Sequence, residues 1–192
     1  MTDRCVHLLV VRHAEAQPYS AARPDPGLTP RGRVQAGLLA DWLGKNPPGI
    51  LVSSTLRRAA DTALAVGRQV GLPVRWDARL REVGACWPDG RPVEGPQSYD
   101  SAFPPREHPL RSVFPGGERW VDFRVRVRRA MDDVLAVGGG TRVAVVCHGG
   151  VLDALLDNIV NADTCSPVEV ALANTAMSHL EHRPVQVGSP WI

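Results

Sequence analysis

Val6-His-Leu-Leu-Val-Val11 leads straight into Arg12-His13-Ala14-Glu15. A short apolar run closed by charged residues reads as a buried strand. In open α/β sheets, ligands bind outside the carboxyl ends of the strands. This junction therefore delivers a guanidinium and an imidazole, adjacent in sequence, to a ligand-binding edge. Arg142-Val-Ala-Val-Val-Cys147 is the strongest buried strand in the chain, and it ends in a similar way, at His148-Gly149-Gly150.

The segments between these strands alternate. Thr29-Pro30 offers an N-cap hydroxyl and a proline at the first helical position. Val34, Leu38, Trp42 and Leu43 then recur at helical spacing until Gly44. Ile50-Leu-Val-Ser53 reads as a second strand, and Ser54 or Thr55 is expected to cap a helix with Leu56, Ala59, Ala63, Leu64 and Val70 on one face. Leu72 to Trp76 forms a third, shorter strand. From Val83 to Pro115 the periodicity dissolves, and seven of the 17 prolines fall there, so this stretch reads as a lid-like excursion. Trp120 to Leu135 follows helical spacing and Gly138-Gly-Gly140 ends it. Beyond His148 come a helix over about Val151 to Val160 and two strand-like stretches, Val168 to Ala173 and Ala176 to Glu181. This order predicts a three-layer α/β/α sandwich with a largely parallel central sheet. It is expected to be a single domain over 1–192, with the Pro-rich excursion at about 83–115.

Bulk properties narrow the function. The chain has 192 residues, 44% hydrophobic and 22% charged, which is the balance of a globular protein with a substantial core. A net charge of +2 does not suggest nucleic acid as a partner. The basic stretch Arg124-Val-Arg-Val-Arg-Arg129 has no interleaved aromatic residues for stacking, so it reads as a solvated helix face. Cys5, Cys86, Cys147 and Cys165 show no paired spacing, which fits free thiols in a reducing compartment. With no apolar leader and no membrane-length run, the expectation is a cytoplasmic protein without membrane association. His7 alternates into its strand and reads as structural. His179-Leu-Glu-His182 invites a metal reading but lacks flanking ligands.

Four segments carry chemistry: Arg12-His13, then Ser53 to Ala63 with Arg57 and Arg58, then Arg79-Leu-Arg-Glu82, and Val146 to Gly150 with His148. Each lies where a strand ends or a helix begins, so a doubly wound sheet brings them to one edge. A guanidinium presents a planar fork of donors that matches phosphate oxygens. Nearby arginines also keep an imidazole neutral and nucleophilic. A carboxyl group in the same pocket can protonate a leaving alkoxide and then activate water. No Gly-x-Ser-x-Gly elbow, Walker loop or Gly-x-Gly-x-x-Gly is present, which removes serine hydrolase, NTPase and dinucleotide readings.

These residues resemble the histidine phosphatase superfamily, which includes cofactor-dependent phosphoglycerate mutases and many small phosphatases. Arg12-His13, Leu28-Thr29, Ser53 to Ala63, Leu80-Arg-Glu82, Pro115-Gly-Gly-Glu118, His148-Gly-Gly150 and Asn174 follow the family pattern in order, across nearly the whole chain. The resemblance implies that His13 is the nucleophile that becomes phosphorylated. Arg12, Arg58 and a protonated His148 would clamp the phosphoryl group, and Glu82 would donate the proton. Arg58 is chosen over Arg57 because it directly precedes Ala59, and neighbouring helical residues point about 100° apart. Arg57 is expected at the surface or rim.

The implied activity is hydrolysis of a small phosphorylated metabolite through a phosphohistidine, with no cofactor and no metal. A phosphoglycerate-type mutase, an inactive phosphate-binding protein and a phosphoprotein phosphatase are the alternatives. Ala14 stands where the family usually has glycine and Tyr19 where it often has asparagine, and the usual Arg-x-Gln-Gly is missing. The resemblance therefore carries the chemistry further than the substrate. Arg91, Arg106, His108 and Arg111 in the excursion would either bind a second anionic group or be solvated.

Overall fold

The computed structural model describes residues 5–20, 22–94, 104–165 and 170–183. The chain runs β1 (Val6–Arg12), α1 (Pro30–Lys45), β2 (Ile50–Ser53), α2 (Arg57–Val70), β3 (Val74–Trp76) and a 3₁₀ turn (Ala78–Leu80). After the excursion come α3 (Trp120–Val137), β4 (Arg142–Cys147), α4 (Gly149–Ile159) and β5 (Met177–His182). The five strands form one sheet in the order β3-β2-β4-β1-β5. All neighbouring pairs are parallel except β1 with β5, which is antiparallel.

Strand alternation divides the core into two layers. Leu9, Val11, Leu51, Ala144 and Val146 pack against α1 and α2. Val6, Leu8, Val10, Val143, Val145 and Cys147 pack against α3 and α4. On α3, Phe123, Val127 and Met131 are buried at successive turns, each worth roughly 1.5–3 kcal/mol of removal from water. The predicted sandwich is therefore observed, with two helices on each face. Among the described residues no helix is long and apolar enough to cross a membrane.

Several local expectations change. The buried face of α1 is Gly32, Ala36, Leu39, Ala40 and Leu43, whereas Val34, Leu38 and Trp42 are exposed. Small residues make this contact because α1 starts against the Glu15 backbone, and a Cβ at Gly32 would overlap the Glu15 carbonyl. Thr29 caps α1 as expected, accepting from the Gly32 amide at 2.8 Å, a bond worth about 1 kcal/mol. The cap of α2 comes from elsewhere in the chain: the Asp25 carboxylate accepts from the Arg57 amide at 2.9 and 3.0 Å. Ser54 Oγ instead accepts from the Leu56 amide at 3.3 Å, one step before the helix.

Two readings are overturned. The basic stretch on α3 is not a solvated face, because Arg124 and Arg126 are buried. Arg124 donates to the carbonyls of Asp157, Ala162 and Thr164, closing the end of α4. The strand expected over Val168 to Ala173 does not form in its described part, 170–173, and its first residues lie outside the described residues. Val170 is held instead by the Asp153 carboxylate, which accepts from its amide at 3.2 Å.

Candidate active site

Strand register builds the centre of the site. Arg12 and Cys147 are paired partners at the carboxyl ends of β1 and β4. The next residue on each strand is a histidine, and the His13 amide donates to the Cys147 carbonyl at 2.9 Å. The two imidazoles lie edge to face with ring centroids 5.1 Å apart. His148 is also the N-cap of α4, so its ring stands where a helix begins and its field favours an anion. Two contacts hold the His13 backbone. Asn174 Nδ2 donates to the His13 carbonyl at 3.0 Å, and the Thr175 amide donates to the Arg12 carbonyl at 3.0 Å. Thr175 adopts a left-handed backbone with φ 59°, the sort of local strain that concentrates at functional sites. Ala14 is not among the residues with positive φ, so its methyl group is tolerated where the family pattern has glycine.

Hydrogen bonds define the state of both rings. His13 Nδ1 lies 2.8 Å from the Ala14 carbonyl, which can only accept, so Nδ1 carries the hydrogen and Nε2 keeps a lone pair. Arg58 Nε donates to that lone pair at 3.1 Å. Burial lowers the His13 pKa to about 4; the Nδ1 bond to Ala14 opposes this, and the nearby Arg58 and Arg12 charges add to it. His148 lies 2.8 Å from Ser54 Oγ through Nε2, and its Nδ1 is buried without a hydrogen-bond partner. Burial, reinforced by Arg58 and by His13, holds His148 well below the ordinary histidine pKa. In the free protein burial thus favours a neutral His148 ring, where the sequence reading gave it a proton with the phosphoryl group bound.

Arg12 and Arg58 approach from different elements. Arg12 Nη1 donates to the Leu172 carbonyl, and its Nε is buried without a partner. Arg58 sits in the first turn of α2. Arg57, by contrast, has a side chain 69% exposed and is paired loosely with Asp61. The structure thus brings Arg58, and not Arg57, to His13.

Glu82 follows the 3₁₀ turn, in a segment without regular structure. Its carboxylate accepts from the Val83 amide at 3.0 Å and the Gly150 amide at 3.3 Å. A Cβ at Gly150 would collide with that carboxylate, so glycine is required for this approach. Glu82 lines two cavities. One, of about 510 Å³, is lined also by Arg12, His13 and Gly149. The other, of about 700 Å³, is lined also by Tyr19, Asp25, Arg58, Arg81 and Phe114. Glu82 thus stands at the boundary between an imidazole-lined chamber and a larger one.

Residues 8–187 match the histidine phosphatase superfamily (branch 1). The chain belongs to the histidine phosphatase superfamily. A glucosyl-3-phosphoglycerate phosphatase of Mycolicibacterium vanbaalenii is 33% identical over 164 residues, covering 79% of this chain and 73% of that protein. A probable phosphoglycerate mutase of Yersinia enterocolitica is 26% identical over 196 residues, covering 97% and 88%. Among solved structures, a mycobacterial glucosyl-3-phosphoglycerate phosphatase superposes with a TM-score of 0.74 at 30% identity, covering 93% and 91% of the two chains.

In this histidine phosphatase, sequence reasoning missed the residues that hold Glu82. Arg126 on α3 donates to the carbonyls of Arg79 and Arg81 at 2.6 and 2.9 Å. It also pairs with the buried Glu118 at 2.7 Å, and Glu118 accepts from the Gly84 amide at 2.8 Å. The pair therefore clamps the chain on both sides of Glu82. Glu118 was visible as the end of Pro115-Gly-Gly-Glu118, but nothing in the α3 pattern distinguished Arg126 from a surface arginine. The excursion arginines play no part at either cavity. Arg91 is exposed and bonded to Asp89, while Arg106 is mostly buried against Asp157 at 3.0 Å and Trp120. His108 and Arg111 line neither cavity.

Proposed function

We propose that this protein is a phosphatase that hydrolyses a small phosphomonoester through a phosphohistidine on His13. The observation that carries this reading is the neutral His13 ring, with its Nε2 lone pair under Arg58 and a second buried imidazole beside it. In the first step His13 Nε2 attacks phosphorus, the bond to the leaving oxygen breaks, and Glu82 supplies that oxygen with a proton. In the second step water attacks phosphorus, Glu82 takes its proton, and the phosphorus–nitrogen bond breaks to release phosphate. Arg12, Arg58 and the Nδ1–H of His148 donate to the equatorial oxygens, where each preorganised donor is worth on the order of 3 kcal/mol of barrier. No step calls for a metal or a cofactor.

The 700 Å³ cavity on the far side of Glu82 supports a role as the seat of the leaving alcohol. Its lining combines Arg81, Asp25 and Glu94 with Phe114, Leu56 and Val93, which suits a small metabolite with both polar and apolar parts. Glucosyl-3-phosphoglycerate is the first compound to try, because a 33% identical relative is named for it. We assign the whole chain to one such domain, with residues 83–94 and Phe114 of the excursion contributing a wall of the leaving-group cavity. Its four cysteines are free, which supports a reducing compartment such as the cytoplasm.

The test is a phosphate-release screen over phosphorylated metabolites, with rapid quenching to trap an acid-labile phosphoenzyme. Phosphate release together with a phosphoenzyme that disappears in His13→Ala is the expected result. Formation of a phosphate isomer instead of free phosphate would establish a mutase. Phosphate binding with no phosphoenzyme would establish an inactive binding protein.

A further inference from the structure

At the opposite end of β1 a second cluster of ligating side chains forms. In strands, alternate residues share a face, so Cys5 and His7 project together, as do His179 and Glu181 on β5. The antiparallel register pairs His7 with Glu181 and Leu9 with His179. His179 therefore lies beyond Glu181 in one direction and Cys5 beyond His7 in the other, and Cys5, His7 and Glu181 cluster on the sheet face covered elsewhere by α1 and α2. His182, by the same alternation, falls on the other face, beside its partner Val6. The sequence reading set a metal aside because His179-Leu-Glu-His182 lacked flanking ligands; folding provides them from β1.

We propose that Cys5, His7 and Glu181 form a binding site for a divalent transition metal, zinc fitting best, with water in the fourth position. Ligand atoms of Cys5, His7 and Glu181 all lie within 4.8 Å of one another. His7 Nδ1 is 3.6 Å from Glu181 Oε1 and 3.1 Å from His179 Nε2. Ligands about 2.1 Å from a tetrahedral zinc ion are separated by about 3.4 Å, close to the separation of His7 and Glu181. The donor set of thiolate, imidazole and carboxylate belongs to zinc and its neighbours, and not to calcium or magnesium. Binding displaces the Cys5 thiol proton, while His7 moves its ring hydrogen to Nε2 and gives up its hydrogen bond to His179, so one proton is released. Glu181 needs only Oε1 for the metal, because its Oε2 is held by Arg183 at 2.7 Å. Arg183 also reaches Cys5 and remains as a neighbouring cation. Cys5 is buried, His7 and Glu181 are partly exposed, and His179 is exposed, which gives the metal an open path of entry.

This position is remote from the phosphoryl chemistry. His7 and His13 are six residues apart along β1, about 20 Å in an extended strand. The metal's effect is structural: it ties the edge strand β5 to β1 and so steadies the turn at Asn174 and Thr175, which holds the His13 backbone. The site stands whether or not the phosphatase reading holds.

The test is titration of metal-free, reduced protein with zinc and with cobalt(II), followed by absorbance, proton release and thermal melting. One equivalent should bind. Cobalt should give a thiolate charge-transfer band and intense visible bands of tetrahedral geometry, and the melting temperature should rise. His7→Ala and Glu181→Gln should each weaken binding by more than about tenfold, with turnover of the metal-free enzyme unchanged. Cys5→Ser should remove the charge-transfer band; if that variant does not fold, Glu181→Gln decides alone. No binding at micromolar metal, an octahedral cobalt spectrum, or affinity untouched by His7→Ala and Glu181→Gln would each overturn the proposal.

Discussion

The two sides of the active site are built by different means. His13 and His148 stand at the ends of paired parallel strands, where the ladder of backbone hydrogen bonds fixes them relative to each other. Glu82 stands in a segment with neither strand nor helix, and its place depends on side chains reaching for backbone: Arg126 and Glu118 from one direction, the Gly150 amide from another. The first side inherits its geometry from the fold. The second must be assembled by a buried ion pair, and a buried pair is costly to break because the partner left behind keeps an uncompensated charge.

The strand side should fail chemically without failing structurally. His13→Ala is expected to lower turnover by about 10⁴-fold or more and to abolish the phosphoenzyme, while leaving the melting temperature near that of the parent. Substantial hydrolysis of an aryl phosphate by this variant would remove the nucleophile role. The clamp side should fail in both ways. Arg126→Leu is expected to cost about 3–5 kcal/mol of stability by stranding Glu118, measurable by urea denaturation. Adding Glu118→Leu should restore much of that stability but not kcat, and KM should change little. Recovery of kcat in the double variant would show that the pair serves folding alone.

Acid should attack the strand side selectively. Both histidines are depressed below the unfolded value near 6.5, His13 to about 4. The unfolded chain therefore binds more protons between these values, and stability present above pH 6.5 is lost as the pH falls toward 4. The His13 shift alone corresponds to about 3 kcal/mol. Urea midpoints measured across this range should fall with acid, and His13→Ala should flatten the fall. Gly150→Ala probes the contact between the two sides: its methyl group displaces Glu82, so kcat should drop about tenfold, or about 1.4 kcal/mol, with stability less affected. The smallest effect is expected at Arg57→Ala, within about 0.5 kcal/mol in stability and near parent activity, whereas Arg58→Ala should cost about 3 kcal/mol of barrier.

The same contrast explains what could be read from the sequence. β1 and β4 were legible because continuous apolar runs bounded by charge have few alternatives, and the histidines were legible as the residues that end them. The working face of α1 was not, because glycine and alanine make the closest contact while Val34, Leu38 and Trp42 face outward. Arg124 and Arg126 were misread because a buried arginine and a solvated one share the same helical spacing; only the carbonyls of distant segments distinguish them. The stretch 170–173 carries strand-like residues yet forms no strand. There Val170 is held by Asp153 and the Leu172 carbonyl accepts from Arg12, and these side-chain tethers hold it beside the phosphoryl chamber.

One carboxylate facing two chambers makes the larger chamber a ruler. In the proposed mechanism an ester can settle its phosphoryl group against the histidines whatever alcohol it carries, but it would be cleaved only if its bridging oxygen reached Glu82. Esters whose alcohol is too short or too bulky for the 700 Å³ cavity would occupy the same cradle as inhibitors. Discrimination then operates at the moment of bond breaking and not at capture, so a ranking of compounds by affinity would not reproduce their ranking by turnover.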